Sequence, residues 1–208
     1  MCCPDRPLVC VVDDEEAVRN FVRRILESHE MTVRCHASAD AFLAEFDEST
    51  TSCIVTDLRM PGVDGLQLHE RLKALESVVS VVVLTGHADV PTAVRLMEDG
   101  VSTLLQKPFR ADNLASAVEN AVKNTQTRRK RKDDRRSLER RLDLLTPDEH
   151  AVLDCVVAGL TNNAIALKLA LSMRTLDRRR QQMLAKMGVQ SPVELAALIA
   201  AFRITSGS

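Results

Sequence analysis

Four places in this chain set a chemically capable polar residue directly after an apolar run. Asp13 and Asp14 follow LVCVV (8–12), Asp57 follows SCIVT (52–56), Thr85 follows VVSVVVL (78–84) and Lys107 follows STLLQ (102–106). The first is the most crowded: PLVCVVDDEE ends in four consecutive acids, each raising its neighbours' pKa and resisting desolvation. Such crowding calls for a cation. Asp13, Asp14 and Asp57 brought together would make an all-oxygen cage, which suits Mg2+ better than zinc or copper. A hydroxyl (Thr85) and an ammonium (Lys107) on the same rim are donors of the kind a phosphoryl group's equatorial oxygens need. There is no Gly-rich nucleotide loop or G-x-x-x-x-G-K-[ST]. With no Cys, Ser–His or His nucleophile in place either, the natural nucleophile is an aspartate. Asp57 is the choice, lying just before the loop LRMPGVDG, whose Pro61 and Gly62 fix a turn. Singly, each residue has a plainer reading: a solvated helix start for the acid pair, ordinary packing for a strand-end Thr or Lys. The joint arrangement carries the chemistry.

For these residues to meet, the apolar runs must be strands of one sheet, with TVRC (32–35) as a fifth. The stretch at 78–84 is a continuous Val-rich run, the mark of a strand buried on both faces. Between the runs lie helical periods: Val18, Phe21, Val22, Ile25 and Leu26, then Leu66, Leu68, Leu72 and Leu75. Strands alternating with helices predict an α/β doubly wound five-stranded parallel sheet, since parallel strands need crossovers of that length. Such sheets bind ligands outside the carboxyl ends of their strands, where all four polar positions fall.

The pattern changes at TQTRRKRKDDRRSLERRLDLL (125–145), a charged run without Gly or Pro. It predicts a helical connector at 126–145, with Leu138, Leu142 and Leu145 available as a short seam or as part of a solvated face. Residues 1–125 and 146–208 are the expected domains. In the second, TPDEHAVLDCVVAGL opens with Thr146 as N-cap, Pro147 in the first turn and Glu149 completing a capping box. TNNAIALKLAL, then SMRTLDRRRQQMLAKMG after a tight turn, then SPVELAALIAAF, complete an all-α four-helix domain. A short helix, a tight turn and a longer basic helix form the helix-turn-helix pattern.

Composition narrows the classes. Residues 1–125 carry net charge −8 and residues 126–208 net +7, so an acidic half suits metal or regulatory chemistry and a basic half suits a polyanion. The chain has no Trp and no Tyr, which removes single-strand binding built on aromatic platforms. Its six cysteines form no C-x-x-C pair, so neither a zinc knuckle nor a redox motif is supported. No apolar window approaches about 18 residues, and acids stand where a secretory signal would need an apolar core. The expectation is a soluble, cytoplasmic protein with no membrane partner.

VVDDEE, IVTDLRMPGVDGLQL, LTGHADVPTAV and LLQKPF, in this order and spacing, resemble the receiver domain of two-component response regulators. The stretch LTPDEHAVLDCVVAGLTNNAIALKLALSMRTLDRRRQQMLAKMGV resembles the LuxR-type helix-turn-helix of the NarL/FixJ family. The resemblance implies a flavodoxin-like receiver and a phosphorylation-controlled, DNA-binding transcription regulator that is not an enzyme. It makes Asp57 the acceptor of a phosphoryl group from a sensor histidine kinase. It places Mg2+ on Asp14, Asp57 and the Arg59 carbonyl, with Asp13 acting through water. Thr85 would bond the phosphoryl group, Lys107 would neutralise charge, and the Lys107–Pro108 bond would be cis. Phosphorylation would drive a homodimer onto double-stranded DNA. Asp177, Arg178 and Gln181 would then face base edges, with Thr175 and Arg179 near the backbone.

Three departures from the family pattern stand out. Leu104 occupies the position, three before the lysine, where the family's switch usually has an aromatic. Asn163 stands where relatives commonly carry Lys, and Leu176-Asp177-Arg178-Arg179 replaces a frequent Val-x-x-His. Asp177 could accept from cytosine N4 or simply repel phosphate. A receiver-controlled protein-interaction module is the rival reading. An aspartate-nucleophile phosphatase is disfavoured, because that chemistry wants an acid two residues after the nucleophile and Arg59 is there.

Overall fold

The computed structural model describes residues 6–86, 94 and 97–206, and its packing divides the chain into two units, Met1–Lys130 and Arg131–Ser208. The first unit is built on strands β1 (Leu8–Val12), β2 (Thr32–His36), β3 (Thr51–Asp57), β4 (Ser80–Thr85) and β5 (Thr103–Gln106). They form one parallel sheet in the order β2-β1-β3-β4-β5. Each strand alternates its side chains between two cores. Val9, Val11, Cys53, Val55, Val82 and Leu84 face one, and Cys10, Val12, Ile54, Val81 and Val83 face the other. Every residue of β4 is buried, as its continuous Val-rich run required.

Helices cover both faces. The first core is closed by α1 (Glu16–Ser28), through Val22, Ile25 and Leu26, and by the start of α4 (Ala111–Asp143), through Leu114, Val118 and Val122. The second is closed by α2 (Ala39–Glu45), through Phe42, and by α3 (Gly65–Ala74), through Leu68 and Leu72. Helix α3 begins with a full capping box between Asp64 and Gln67. Leu75, which the apolar spacing assigned to this helix face, is its C-cap and lies exposed.

Helix α4 runs 33 residues, with the basic run inside it. Within the first unit it is tied to the sheet: the buried Thr125 hydroxyl accepts from the Ser80 N–H at 2.8 Å, and Arg129 donates to the Thr51 carbonyl at 3.0 Å.

The second unit holds the end of α4 and helices α5 (Pro147–Val157), α6 (Asn162–Lys168), α7 (Met173–Met187) and α8 (Pro192–Ser206). The capping box at Thr146 and Glu149 is present, and Thr161 and Ser172 cap α6 and α7. Gly188 ends α7 at φ 64°, the left-handed conformation a helix C-terminus favours in glycine. The core joins Val152, Leu153, Ile165, Leu176, Met183, Met187, Leu195 and Ile199 to Leu138 and Leu145 of the charged run. The leucine seam therefore packs within its own unit as part of the helical core. Glu149 is buried there against Lys186 at 2.6 Å. Its burial pushes the carboxyl up, but Lys186 and Thr146 outweigh that and hold it below its ordinary range. No single described helix is long and apolar enough to cross a membrane; only the bent pair of α7 and Pro192–Ala200 reaches that composition, and its Leu176, Met183, Met187, Leu195 and Ile199 belong to the core just named.

Leu138→Ala should lower the stability of the helical unit by about 2–5 kcal/mol, the usual cost of a buried Leu truncation. Leu144, exposed on the same run, should tolerate alanine within about 0.5 kcal/mol. Urea unfolding followed by far-UV circular dichroism distinguishes a core residue from a solvated connector: equal effects would place Leu138 outside the core.

Candidate phosphoryl-acceptor site and nucleic-acid interface

The strand order reverses between β1 and β3, and the crevice of a doubly wound sheet opens at that reversal, beyond the strands' carboxyl ends. Asp13 follows β1 and Asp57 ends β3. Both are buried, at 1% and 9% exposure. Lys107, just past β5, reaches across to both: its Nζ lies 2.7 Å from Asp57 Oδ1 and 3.1 Å from Asp13 Oδ2. One ammonium thus serves two carboxylates. The remaining oxygens are held by backbone. Asp13 Oδ1 accepts from the Glu15 N–H at 2.8 Å, which starts α1, and Asp57 Oδ2 accepts from the Arg59 N–H at 2.9 Å.

Thr85, buried at the end of β4, follows Leu84, the register partner of Asp57. Its carbonyl accepts from the Lys107 N–H at 2.7 Å, fixing the base of that side chain. The Lys107–Pro108 peptide is cis. Leu104 packs against the second core. Residues 87–93 of the LTGHADVPTAV motif lie outside the described residues.

The three-carboxylate cage expected from VVDDEE is not assembled: among the described residues no group of three or more metal-ligating side chains comes together. Lys107 supplies the positive charge between two of the acids, and Asp14 is exposed, where water screens its charge at least cost. The carboxylates of Asp13 and Asp57 are hard-oxygen donors of the type Mg2+ takes, with Asp14 next in the chain. Burial pushes the Asp13 carboxyl above its ordinary value, more than Lys107 and the Glu15 N–H pull it down. Burial pulls Lys107 the other way, but its bonds to Asp57 and Asp13 prevail and its pKa is raised.

Gly65, the first residue of α3, is required by this site. A Cβ there would stand 2.3 Å from the Asp57 carbonyl oxygen. The sequence offered that glycine only as part of a turn, and its contact with the acceptor strand was not foreseen.

In the helical unit, Asp177, Arg178 and Gln181 are exposed on α7. Arg174, unnamed in the sequence reading, is exposed on the same face at i, i+4 and i+7 spacing with Arg178 and Gln181; that spacing was the signal available. Thr175 is half-buried, with its hydroxyl 2.8 Å from Ser172 Oγ. Arg179, expected near a phosphate backbone, pairs with Asp148 of α5 at 2.6 Å in this structure. Arg180 likewise turns inward, donating to Asn162 Oδ1 at 2.6 Å.

A parallel α/β unit with an aspartate–lysine crevice, followed by a capped helix-turn-helix, is the build of a response regulator. The model for the response regulator receiver domain matches residues 9–119, and that for bacterial regulatory proteins of the luxR family matches 143–199. The transcriptional regulatory protein FixJ of Azorhizobium caulinodans is 38% identical over 195 residues, covering 94% of this chain and 92% of the relative. Among solved structures, the response regulator StyR matches with TM-score 0.85 at 33% identity, over 94% of this chain and 99% of that one. Full-length FixJ from B. japonicum matches with TM-score 0.56 at 33% identity, over 95% and 98%. The chain belongs to the NarL/FixJ family of two-component response regulators, transcription regulators rather than enzymes.

Two outcomes follow for the crevice. Because Asp13's folded pKa lies above its ordinary 3.8, the native state binds more protons there than the unfolded chain. Its contribution to stability therefore falls as pH rises through that window. In chelator-treated buffer Asp13→Asn should gain on wild type as pH rises through that window and exceed it at pH 7. A less stable variant at pH 7 would contradict the charge argument. Gly65→Ala should cost roughly 1–3 kcal/mol, because backbone must move to admit the methyl; an unchanged urea midpoint would mean the turn yields freely.

Proposed function

We propose that Asp57 accepts a phosphoryl group from the phosphohistidine of a sensor histidine kinase, and that the phosphorylated chain dimerises on double-stranded DNA. The observation that carries this reading is the Lys107 ammonium bridging Asp57 and Asp13 at the sheet's reversal point. A carboxylate oxygen of Asp57 attacks phosphorus and the kinase imidazole departs. Lys107, already within hydrogen-bond reach, neutralises the up to about two negative charges that arrive. Thr85, on the neighbouring strand end, donates to a phosphoryl oxygen. Asp14, Asp57 and the Arg59 carbonyl would hold Mg2+, with Asp13 acting through water; the ion supplies charge neutralisation during transfer. Its second positive charge suits a crevice in which two carboxylates share one ammonium.

The domain boundaries expected from sequence, 1–125, 126–145 and 146–208, describe a receiver, a connector and an output module. The end of the connector contributes leucines to the output core. Thr175, Asp177, Arg178, Arg179 and Gln181 form the DNA-facing set, with Arg179 acting there once its pair with Asp148 opens. Leu104 leaves the switch without an aromatic partner for Thr85, so rearrangement rests on Thr85 and Lys107.

Analytical ultracentrifugation in Mg2+, with and without beryllofluoride as phosphoryl mimic, tests the reading on wild type and Asp57→Asn. The expected result is a mimic-dependent shift to dimer in wild type alone. A shift in Asp57→Asn, or none in wild type with the mimic bound, would overturn phospho-switched pairing. Duplex binding should also weaken steeply as salt is raised; salt-independent or absent binding would favour a protein-interaction output.

A further inference from the structure

Helix α7 carries a single acid, Asp177, among Arg174, Arg178, Arg179 and Arg180. Three other acids of this unit have work within the fold: Asp148 holds Arg179, Glu149 holds Lys186, and Glu194 accepts from the Gln190 N–H. Asp177 is exposed and makes no hydrogen bond or ion pair among the described residues. The helix turns its buried residues Leu176, Met183 and Met187 to the core, and Arg179 and Arg180 toward α5 and α6. What remains outward is a face of Arg174, Asp177, Arg178 and Gln181.

We propose that Asp177 selects cytosine at one position of each DNA half-site. This rests on the reading of α7 as a DNA-facing helix. A carboxylate has acceptors only. Against phosphate it is repelled, so its favourable contact must be a base-edge donor. In the major groove those donors are the amino groups of cytosine and adenine, and adenine sets an N7 acceptor beside its own, which opposes a second carboxylate oxygen. Cytosine N4 offers a donor without that penalty. Arg178 and Gln181, flanking it on the same face, can address a guanine edge and an adenine edge respectively. The acid thus gives a basic helix discrimination at the expense of general phosphate affinity.

Full-length protein loaded with beryllofluoride in Mg2+ would be offered duplexes from a randomised pool, and the bound fraction sequenced, for wild type, Asp177→Asn and Asp177→Ala. Circular dichroism would verify that the exposed substitutions leave the fold intact. Wild type should prefer cytosine at one position per half-site by roughly 5- to 150-fold. Asp177→Asn should move that preference to adenine at this position alone, since an amide can pair with N6 and N7 together. Asp177→Ala should lose preference there and nowhere else. If all three proteins bind duplex with steep salt dependence and select the same site, Asp177 does not read a base and the proposal falls while DNA binding stands. A uniform gain in affinity for Asp177→Ala without altered preference has the same meaning, the acid then being a phosphate repellent. If none of the three binds duplex in a salt-dependent way, the DNA reading fails and the proposal with it.

Discussion

Two carboxylates cannot be brought to adjoining strand ends in a buried crevice without a positive charge between them, and Lys107 is that charge. Much of the first unit can be understood as the means of holding this contact. Parallel register sets the ends of β1 and β3 side by side, and the bond from the Lys107 N–H to Thr85 anchors the lysine from the next strand. Asp13 begins α1 with its second oxygen, so the first crossover helix is fastened to the site it leaves. Gly65 lets α3 start against the backbone of Asp57 itself. The arrangement remains one charge short of neutral. Two acids against one ammonium leave a residual negative charge, and burial, with a smaller push from Asp57, raises the Asp13 carboxyl. A crevice in that condition favours any added cation and tolerates an incoming anion only with one.

The charged run after residue 125 gains its physical meaning from which leucines it contains. Most of its side chains are Lys, Arg, Asp or Glu, yet Leu138 and Leu145 are nearly inaccessible to water. Arg141 donates to the Met187 carbonyl at 2.9 Å, beside Gly188, where a Cβ would come within 3.1 Å of the guanidinium. The C-terminal end of the longest helix is therefore built into the helix-turn-helix unit. Earlier in the same helix Leu114, Val118 and Val122 pack on the sheet, and Thr125 and Arg129 bond to it.

Sequence revealed the features whose signals are local or periodic. The Val-rich fourth strand, the Thr146 capping box and the order of helices in the second unit each follow from a pattern that has few alternatives. Helix α2 was missed because seven residues are barely two turns, too few for a 3.6-residue period to separate from a loop. Leu138, Leu142 and Leu145 were visible as a stripe, but the same spacing serves a coiled-coil seam and a globular core alike. Only the partner decides. The site divides in the same way. Strand-end positions announced Asp13, Asp57, Thr85 and Lys107 together, because the termini of parallel strands converge. That Lys107 would satisfy two acids while Asp14 stayed exposed depends on side-chain reach across strands, which spacing does not encode. The fate of Arg179 was hidden for the same reason, its partner Asp148 lying on another helix.

The arginines of α7 show how a basic helix can be read wrongly from composition. Charge density alone would give each of Arg174, Arg178, Arg179 and Arg180 the same role toward a polyanion. Geometry divides them: Arg179 and Arg180 brace α7 against Asp148 and Asn162, while Arg174 and Arg178 are exposed. A bracing arginine fixes the helix's orientation, and orientation is what converts an exposed side chain from a diffuse charge into one that meets a defined atom. Two arginines that brace the helix leave a few outward residues, an acid included, whose directions are set by the fold rather than by charge alone.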